Sequence, residues 1–230
     1  MGVGWRDSAS RLMPASATPL ALRPERAYPV FMQRYTLIKT PVGHVGIVAS
    51  AIGLSHIHLM RGGAAEAARR LERLHPGAQR DDDVLPDLQH ELGLYFSGRP
   101  VCFTVTLDLT SCTEFQRRVL RACSRIEYGQ TITYGGLARR VGCPTGARAV
   151  GGVMARNPVP LVIPCHRVVG CNGSLGGFSA EHGVSLKKFL LNLESKGLSC
   201  SLQGPGFGRA DVHPGGGRAT AGGYRAGRRG

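Results

Sequence analysis

Tyr35-Thr36-Leu37-Ile38, Val45-Gly46-Ile47-Val48 and Leu54-Ser55-His56-Ile57-His58-Leu59 are three strand-forming runs, broken by Pro41-Val42-Gly43 and Ile52-Gly53. Their shortness and the turn residues between them predict a small antiparallel sheet with tight turns. Helical patterns follow near residues 64–75 and 86–97, and a further strand is expected where Phe103, Val105 and Leu107 alternate. His56 and His58 share one face of the third run, but the sequence offers no third ligand beside them, so no metal site is expected there.

From about residue 110 the punctuation is that of helices. Thr113-Glu114-Phe115-Gln116 fits a capping box, with Thr as N-cap and Gln three residues on. Phe115, Val119, Leu120 and Cys123 then mark one apolar face. A turn at Tyr128-Gly129-Gln130 leads to a short helix from Thr133 to Val141, which Gly142 ends. Thr145 is a candidate cap for a helix running to about Asn157, where Pro158 and Pro160 stop it. Two short helices joined by a tight, Gly-containing turn suggest a helix-turn-helix. Strands in one run and helices in the next make the fold class α+β.

The flanks differ from this middle. Residues 1–30, rich in Pro, Ala and Arg without periodicity, read as a disordered lead-in, and the Gly/Arg-rich residues 201–230 read as a disordered tail. Two ordered parts remain, 31–109 and 110–200. No run approaches the roughly 18 apolar residues of a membrane span, and Met1–Ser10 lacks the basic and apolar regions of a secretion signal. No membrane partner is expected.

Charge divides along the same line. Residues 31–109 hold eight Lys/Arg and eight Asp/Glu, whereas residues 110–200 hold twelve against four, a net of +8. A basic excess in one ordered segment suits a polyanion such as nucleic acid, though a solvated basic face would look the same. The seven cysteines form no CxxC pair, which argues against a disulfide framework or a structural zinc site and for a reducing compartment.

Chemistry concentrates in Ile163-Pro164-Cys165-His166-Arg167-Val168-Val169. A Cys followed by His, among apolar and basic residues, can hold a thiolate. A buried structural Cys beside a surface His is the competing interpretation of the dipeptide alone.

Pro164-Cys165-His166-Arg167-Val168 resembles the active-site motif of the O6-alkylguanine-DNA alkyltransferases. The likeness extends upstream through Tyr128–Tyr134, Ala147–Met154 and Asn157-Pro158-Val159-Pro160, and downstream through Gly173, Gly176–Ser179 and a helix from Leu186 to Glu194. It covers 113–197 strongly and 31–109 consistently. The resemblance implies a ribonuclease-H-like sheet domain followed by a helical domain that transfers alkyl groups. It implies that Cys165 takes the alkyl group of O6-alkylguanine, and of O4-alkylthymine in some members, in one irreversible displacement. His166 would be the base acting through a water, Glu194 its orienter, Asn157 the hinge, and Tyr134 the proton donor to the departing guanine.

Double-stranded DNA is the implied partner, held at the minor groove with the target base flipped out, because O6 is hidden in the duplex. Arg148 would replace the extruded base, and Gly135, Ala147 and Gly151 would allow close approach. Pro160, Val168, Phe178, Ser179 and Ala180 would line the base pocket. The family implies a monomer with neither cofactor nor metal, placed in the cytoplasm on the nucleoid, or in the nucleus of a eukaryote. The Leu186, Phe189, Leu190, Leu193 pattern places the apolar face of the last helix, ahead of Gly197.

Two departures from the family pattern stand out. Phe178 replaces a common Tyr, and Ser179–Gly183 is one residue longer than the usual small-residue run. The cysteine clusters of the adaptive-response regulators and the zinc ligands of some animal members are missing. A lesion-binding relative without an acceptor Cys is disfavoured by Cys165, and a cysteine hydrolase would leave Arg148 without a purpose.

Overall fold

The computed structural model describes residues 32–175 and 183–201, the last four of these by backbone alone. The lead-in over 1–30 lies outside the described residues. So does the tail from 202 and the pocket loop bearing Phe178, Ser179 and Ala180.

Strands β1 (Arg34–Thr40), β2 (Gly43–Ala49) and β3 (Leu54–Met60) pair antiparallel in sequence order. The β1–β2 turn requires Gly43, which sits at φ +115°, where a Cβ would lie 2.3 Å from the Met60 carbonyl oxygen. Helix α1 (Ala64–Leu74) then crosses one face and returns the chain as β4 (Gln79–Arg80), which pairs with β1 in parallel. The sheet is therefore mixed rather than wholly antiparallel, in the order β3-β2-β1-β4. A helical crossover between strands of one sheet brings the second strand back parallel. Ala67 and Leu71 of α1 seal Tyr35, Val48 and Met60 on that face.

Helix α2 (Pro86–Phe96) packs its Leu88, Leu92, Tyr95 and Phe96 into the main core. The strand expected at Phe103, Val105 and Leu107 does not form a ladder. The side chains do alternate, but only Leu107 bridges to β3, through Leu54 N to Thr106 O (2.9 Å) and Asp108 N to Leu54 O (2.8 Å). In that parallel register Val105 and Phe103 would lie beside the turn before Leu54, which Ser50 N closes on Gly53 O at 2.9 Å, so they meet no strand edge.

In the second part, α3 (Glu114–Ser124) opens with the expected capping box and buries Val119, Leu120 and Cys123. Helix α4 (Tyr134–Arg140) is capped by the Thr133 side chain, and Gly142 follows it at φ +72°. Helix α5 (Ala147–Ala155) begins one residue later than expected. Its N-cap is Gly146, not Thr145, because the Gly146 amide closes a tight turn on Cys143 O at 2.8 Å. Two short strands not evident in the sequence, β5 (Ile132–Thr133) and β6 (Val168–Val169), pair in parallel and tie the start of α4 to the Cys165 segment.

Helix α6 (Gly183–Ser201) runs through Gly197 instead of stopping before it. A Cβ on Gly197 would stand 2.2 Å from the Gly98 carbonyl oxygen, so glycine here serves close packing. The buried stripe of α6 is Leu186, Lys187, Leu190, Glu194 and Gly197, while Phe189 is 37% exposed. The expected face is thus rotated, and two charged residues take the interior. Val45, Ile47, Leu92, Leu120, Leu137, Val150, Ile163 and Leu190 belong to one buried cluster, so both parts share a core.

Candidate active site

The chain between α5 and β6 builds the site. Asn157 spans it: its Oδ1 accepts from Val159 N (3.1 Å) and its Nδ2 donates to Ile163 O (2.8 Å). Between these anchors Leu161, fully buried, adopts φ +75°. A branched residue in the left-handed region is costly and persists only where the surroundings impose it. The bonds from Ile163 N to Val159 O (2.9 Å) and from Cys165 N to Ile163 O (2.8 Å) complete the constraint. Pro164 then leads into a single 3-10 turn, Cys165–Arg167, that presents the thiol.

Cys165 is 4% exposed. Burial pushes its thiol up from the usual cysteine range. The Asn157 side chain, the Lys187 charge and the backbone amides of Cys165 and His166 pull the other way.

Behind the thiol lies Glu194, wholly buried on α6. Its Oε1 is 2.7 Å from His166 Nε2 and accepts from the Tyr95 hydroxyl at 2.8 Å. Arg167 donates through Nε (2.9 Å to Oε2) and Nη2 (2.9 Å to Oε1), and Gly129 N donates to Oε2 at 3.0 Å. Burial alone would raise the carboxyl, but the hydrogen bonds and charges of His166 and Arg167 hold it down, to about 2. Glu194 is therefore a carboxylate and can only accept.

That fixes the tautomer of His166, which burial keeps neutral by lowering its pKa. Nε2 carries the hydrogen toward Glu194, and Nδ1 carries the lone pair. Nδ1 is buried with no hydrogen-bond partner among the described residues. Arg167 is fixed further by Ile126 O (2.6 Å) and by the Tyr128 ring beneath its guanidinium, 5.7 Å from the centroid.

On the other side, Lys187 Nζ donates to Val168 O at 2.6 Å and reaches Tyr134 OH at 3.5 Å. The same ammonium lies 5.5 Å from the Tyr134 ring centroid. Burial lowers the Lys187 pKa, while the neighbouring Cys165 and Cys123 thiols oppose that shift.

Of the residues expected in the site, Cys165, His166, Glu194, Asn157, Tyr134 and Val168 converge here. Pro160 belongs to the same loop, through its bridge to Ile163. Arg148 stands exposed in the first turn of α5, next to Ala147. Gly135 lies in the first turn of α4, and a Cβ on Gly151 would reach the Tyr134 ring at 4.0 Å. Tyr95, Lys187 and the carboxylate-holding role of Arg167 were not foreseen. Lys187 carried a weak signal, standing next to Leu186 on the apolar face of its helix. Tyr95 carried none, because its partner lies 99 residues away.

Fold and site together define a mixed α+β protein with a buried thiol beside an imidazole–carboxylate pair, on a helical part that carries the basic excess. Residues 33–109 match the ribonuclease-like domain of 6-O-methylguanine DNA methyltransferase, and residues 114–196 match its DNA binding domain. A methylated-DNA–protein-cysteine methyltransferase of Mycolicibacterium paratuberculosis is 46% identical over 171 residues, 74% of this chain and 98% of the relative. One from Methanosarcina acetivorans is 34% identical over 160 residues, 70% of this chain and 97% of the relative. The crystal structure of Mycobacterium tuberculosis O6-methylguanine methyltransferase is similar with a TM-score of 0.60 at 32% identity, covering 72% of this chain and 94% of that one. That of Mycobacterium tuberculosis OGT in complex with DNA scores 0.62 at 32% identity, covering 71% and 94%. The chain belongs to the 6-O-methylguanine DNA methyltransferase family.

Proposed function

We propose that this chain repairs DNA by direct reversal, as a methylated-DNA–protein-cysteine methyltransferase that moves the alkyl group of O6-alkylguanine onto Cys165. The observation that carries this is the Cys165–His166–Glu194 constellation, with Asn157 bracing the loop. Glu194 holds His166 with its basic Nδ1 available, and this nitrogen takes the thiol proton through a water. The sulfur attacks the alkyl carbon, forming the S–C bond as the C–O6 bond breaks. Tyr134 supplies the proton that lets guanine leave as a neutral base. The thioether has no exit route, so each molecule acts once. O4-alkylthymine is a second substrate of the same displacement.

In this reading α4 and α5 act as a helix-turn-helix at the minor groove, and Arg148 enters the stack as the damaged base flips out. The small residues Gly135, Ala147 and Gly151 let the backbone approach DNA. Pro160, Val168, Phe178, Ser179 and Ala180 enclose the base. The first part (31–109) is a ribonuclease-H-like scaffold, and the second (110–200) carries binding and transfer. The protein works as a monomer on DNA in the cytoplasm, or in the nucleus of a eukaryote, and this chemistry needs no cofactor.

The decisive experiment mixes the protein with an O6-methylguanine duplex and analyses its peptides by mass spectrometry. A single methyl is expected on the peptide bearing Cys165, and Cys165→Ala should bind the duplex without transfer. Loss of the lesion with that peptide unmodified would overturn the mechanism.

A further inference from the structure

The sequence supplied two histidines on one strand face and no third. The fold supplies the third. His56 and His58 lie at alternate positions of β3, so they share a face, while Ile57 between them points into the main core. His75, at the C-terminal end of α1, closes over them. Ring centroids are 4.7 Å apart for His56–His75, 5.0 Å for His58–His75 and 5.9 Å for His56–His58.

We propose that His56, His58 and His75 form a structural site for a borderline divalent transition-metal ion of the Zn2+ class, tying the end of α1 to β3. Imidazole nitrogens suit such ions. The hydrogen-bond pattern favours the reading. Gln33 Oε1 lies 3.1 Å from His75 Nδ1 and can only accept, so His75 carries its hydrogen there and turns the Nε2 lone pair inward. An outer amide oxygen fixing a ligating histidine in this way is the usual second partner of metal-bound imidazole.

The inward His75 Nε2 is 2.8 Å from His58 Nε2, so a single proton is shared between two nitrogens. His56 Nδ1 is buried and has no hydrogen-bond partner among the described residues. Buried polar atoms are rarely left so. Burial, with the nearness of the other rings, holds His58 down to about 4 and lowers His75, and burial lowers His56. Asp108 near His56 favours a cation, and Arg70 near His58 opposes one.

Among the described residues no three such side chains already stand at ligating geometry. Two nitrogens on one tetrahedral ion, with bonds of about 2.0–2.1 Å, lie roughly 3.3–3.4 Å apart. The His58–His75 pair must therefore open by about half an ångström as the ion replaces the shared proton. His58 then loses its Nε2 hydrogen and gains one at Nδ1, so no net proton is released. Solvent completes the shell.

The test titrates the full, chelator-stripped protein with ZnCl2, following heat by calorimetry and Tm by melting. One equivalent should bind and raise Tm. The double variant His58→Gln/His75→Gln should bind more than about 100-fold more weakly and lose the Tm shift, while its alkyl transfer stays unchanged. Cys165→Ser should bind Zn2+ like the parent, which separates this site from the reactive thiol. On the parent itself, imidazole 15N resonances of His56, His58 and His75 should move with Zn2+ while those of His44 and His90 stay. No binding by the parent, unmoved resonances at the three histidines, or equal binding by a folded double variant would each overturn the site.

Discussion

Glu194 Oε1 and His166 Nε2 lie 2.7 Å apart with both side chains fully buried, and Arg167 Nη2 meets the same oxygen at 2.9 Å. One carboxylate thus orients the imidazole and neutralises a buried guanidinium. Removing one partner of such a network leaves an uncompensated charge, at a cost of about 3–5 kcal/mol. Glu194→Gln is expected to lower stability by that amount, measured by urea denaturation. Its single-turnover transfer rate should fall about 100-fold or more, the scale of a lost general base. An unchanged rate in a folded variant would remove Glu194 from the mechanism.

Acid should weaken the same network. Glu194 is held at about 2, below the unfolded glutamate value of about 4.3, and His166 is lowered from its unfolded value of about 6.5. In both cases the unfolded chain binds the proton more readily. The stabilisation is therefore complete above about pH 6.5 and is lost as pH falls toward about 2. The urea midpoint of the parent should drop through that window, and its lead over Glu194→Gln should shrink with it. A gap that stays constant with pH would contradict the assignment.

Lys187 is the cation facing Cys165. Lys187→Met keeps most of the volume, removes the charge that lowers the thiol pKa, and leaves Val168 O without its 2.6 Å donor. The pH profile of iodoacetamide labelling at Cys165, without DNA, should move to higher pH. Stability should fall by about 1–3 kcal/mol for the stranded carbonyl. An unshifted profile would show that the ammonium does not tune the thiol.

Gly197 separates propensity from packing. Alanine is favoured over glycine inside a helix by about 1 kcal/mol, yet its Cβ would sit 2.2 Å from Gly98 O and 2.6 Å from Tyr128 OH. Overpacking costs about 1–3 kcal/mol, and backbone on one side cannot yield cheaply. Gly197→Ala should lower Tm. A rise would mean that α6 shifts freely against the 98–128 segment.

Local physics made much of the protein legible from sequence. The alternation of β1–β3, the Thr113–Gln116 capping box and Gly142 after α4 each depend on neighbours within a few residues, and they came out as expected. The Cys165–His166 pair, Asn157 and Glu194 were marked by motif and position. Most differences arose where a segment remote in sequence decided the outcome. The 103–107 alternation met β3 only at its first residue, Leu54, and Thr145 lost the cap of α5 to a local turn that Gly146 closes on Cys143. Phe189 was displaced from the buried face because Glu194 and Lys187 had partners inside.

By itself, then, the sequence determined the first three strands, the run of helices and the basic excess of the second part, since these are set by residue type and short spacing, and its motif marked Cys165 as the candidate thiol. Only the tertiary structure decided what surrounds them. It put Tyr95 and Arg167 on Glu194, Lys187 beside Tyr134 and Cys165, and His75 over His56 and His58. Burying charged and titratable groups is tolerable only when partners from remote segments arrive together, and nothing in a linear pattern reports which segments those are.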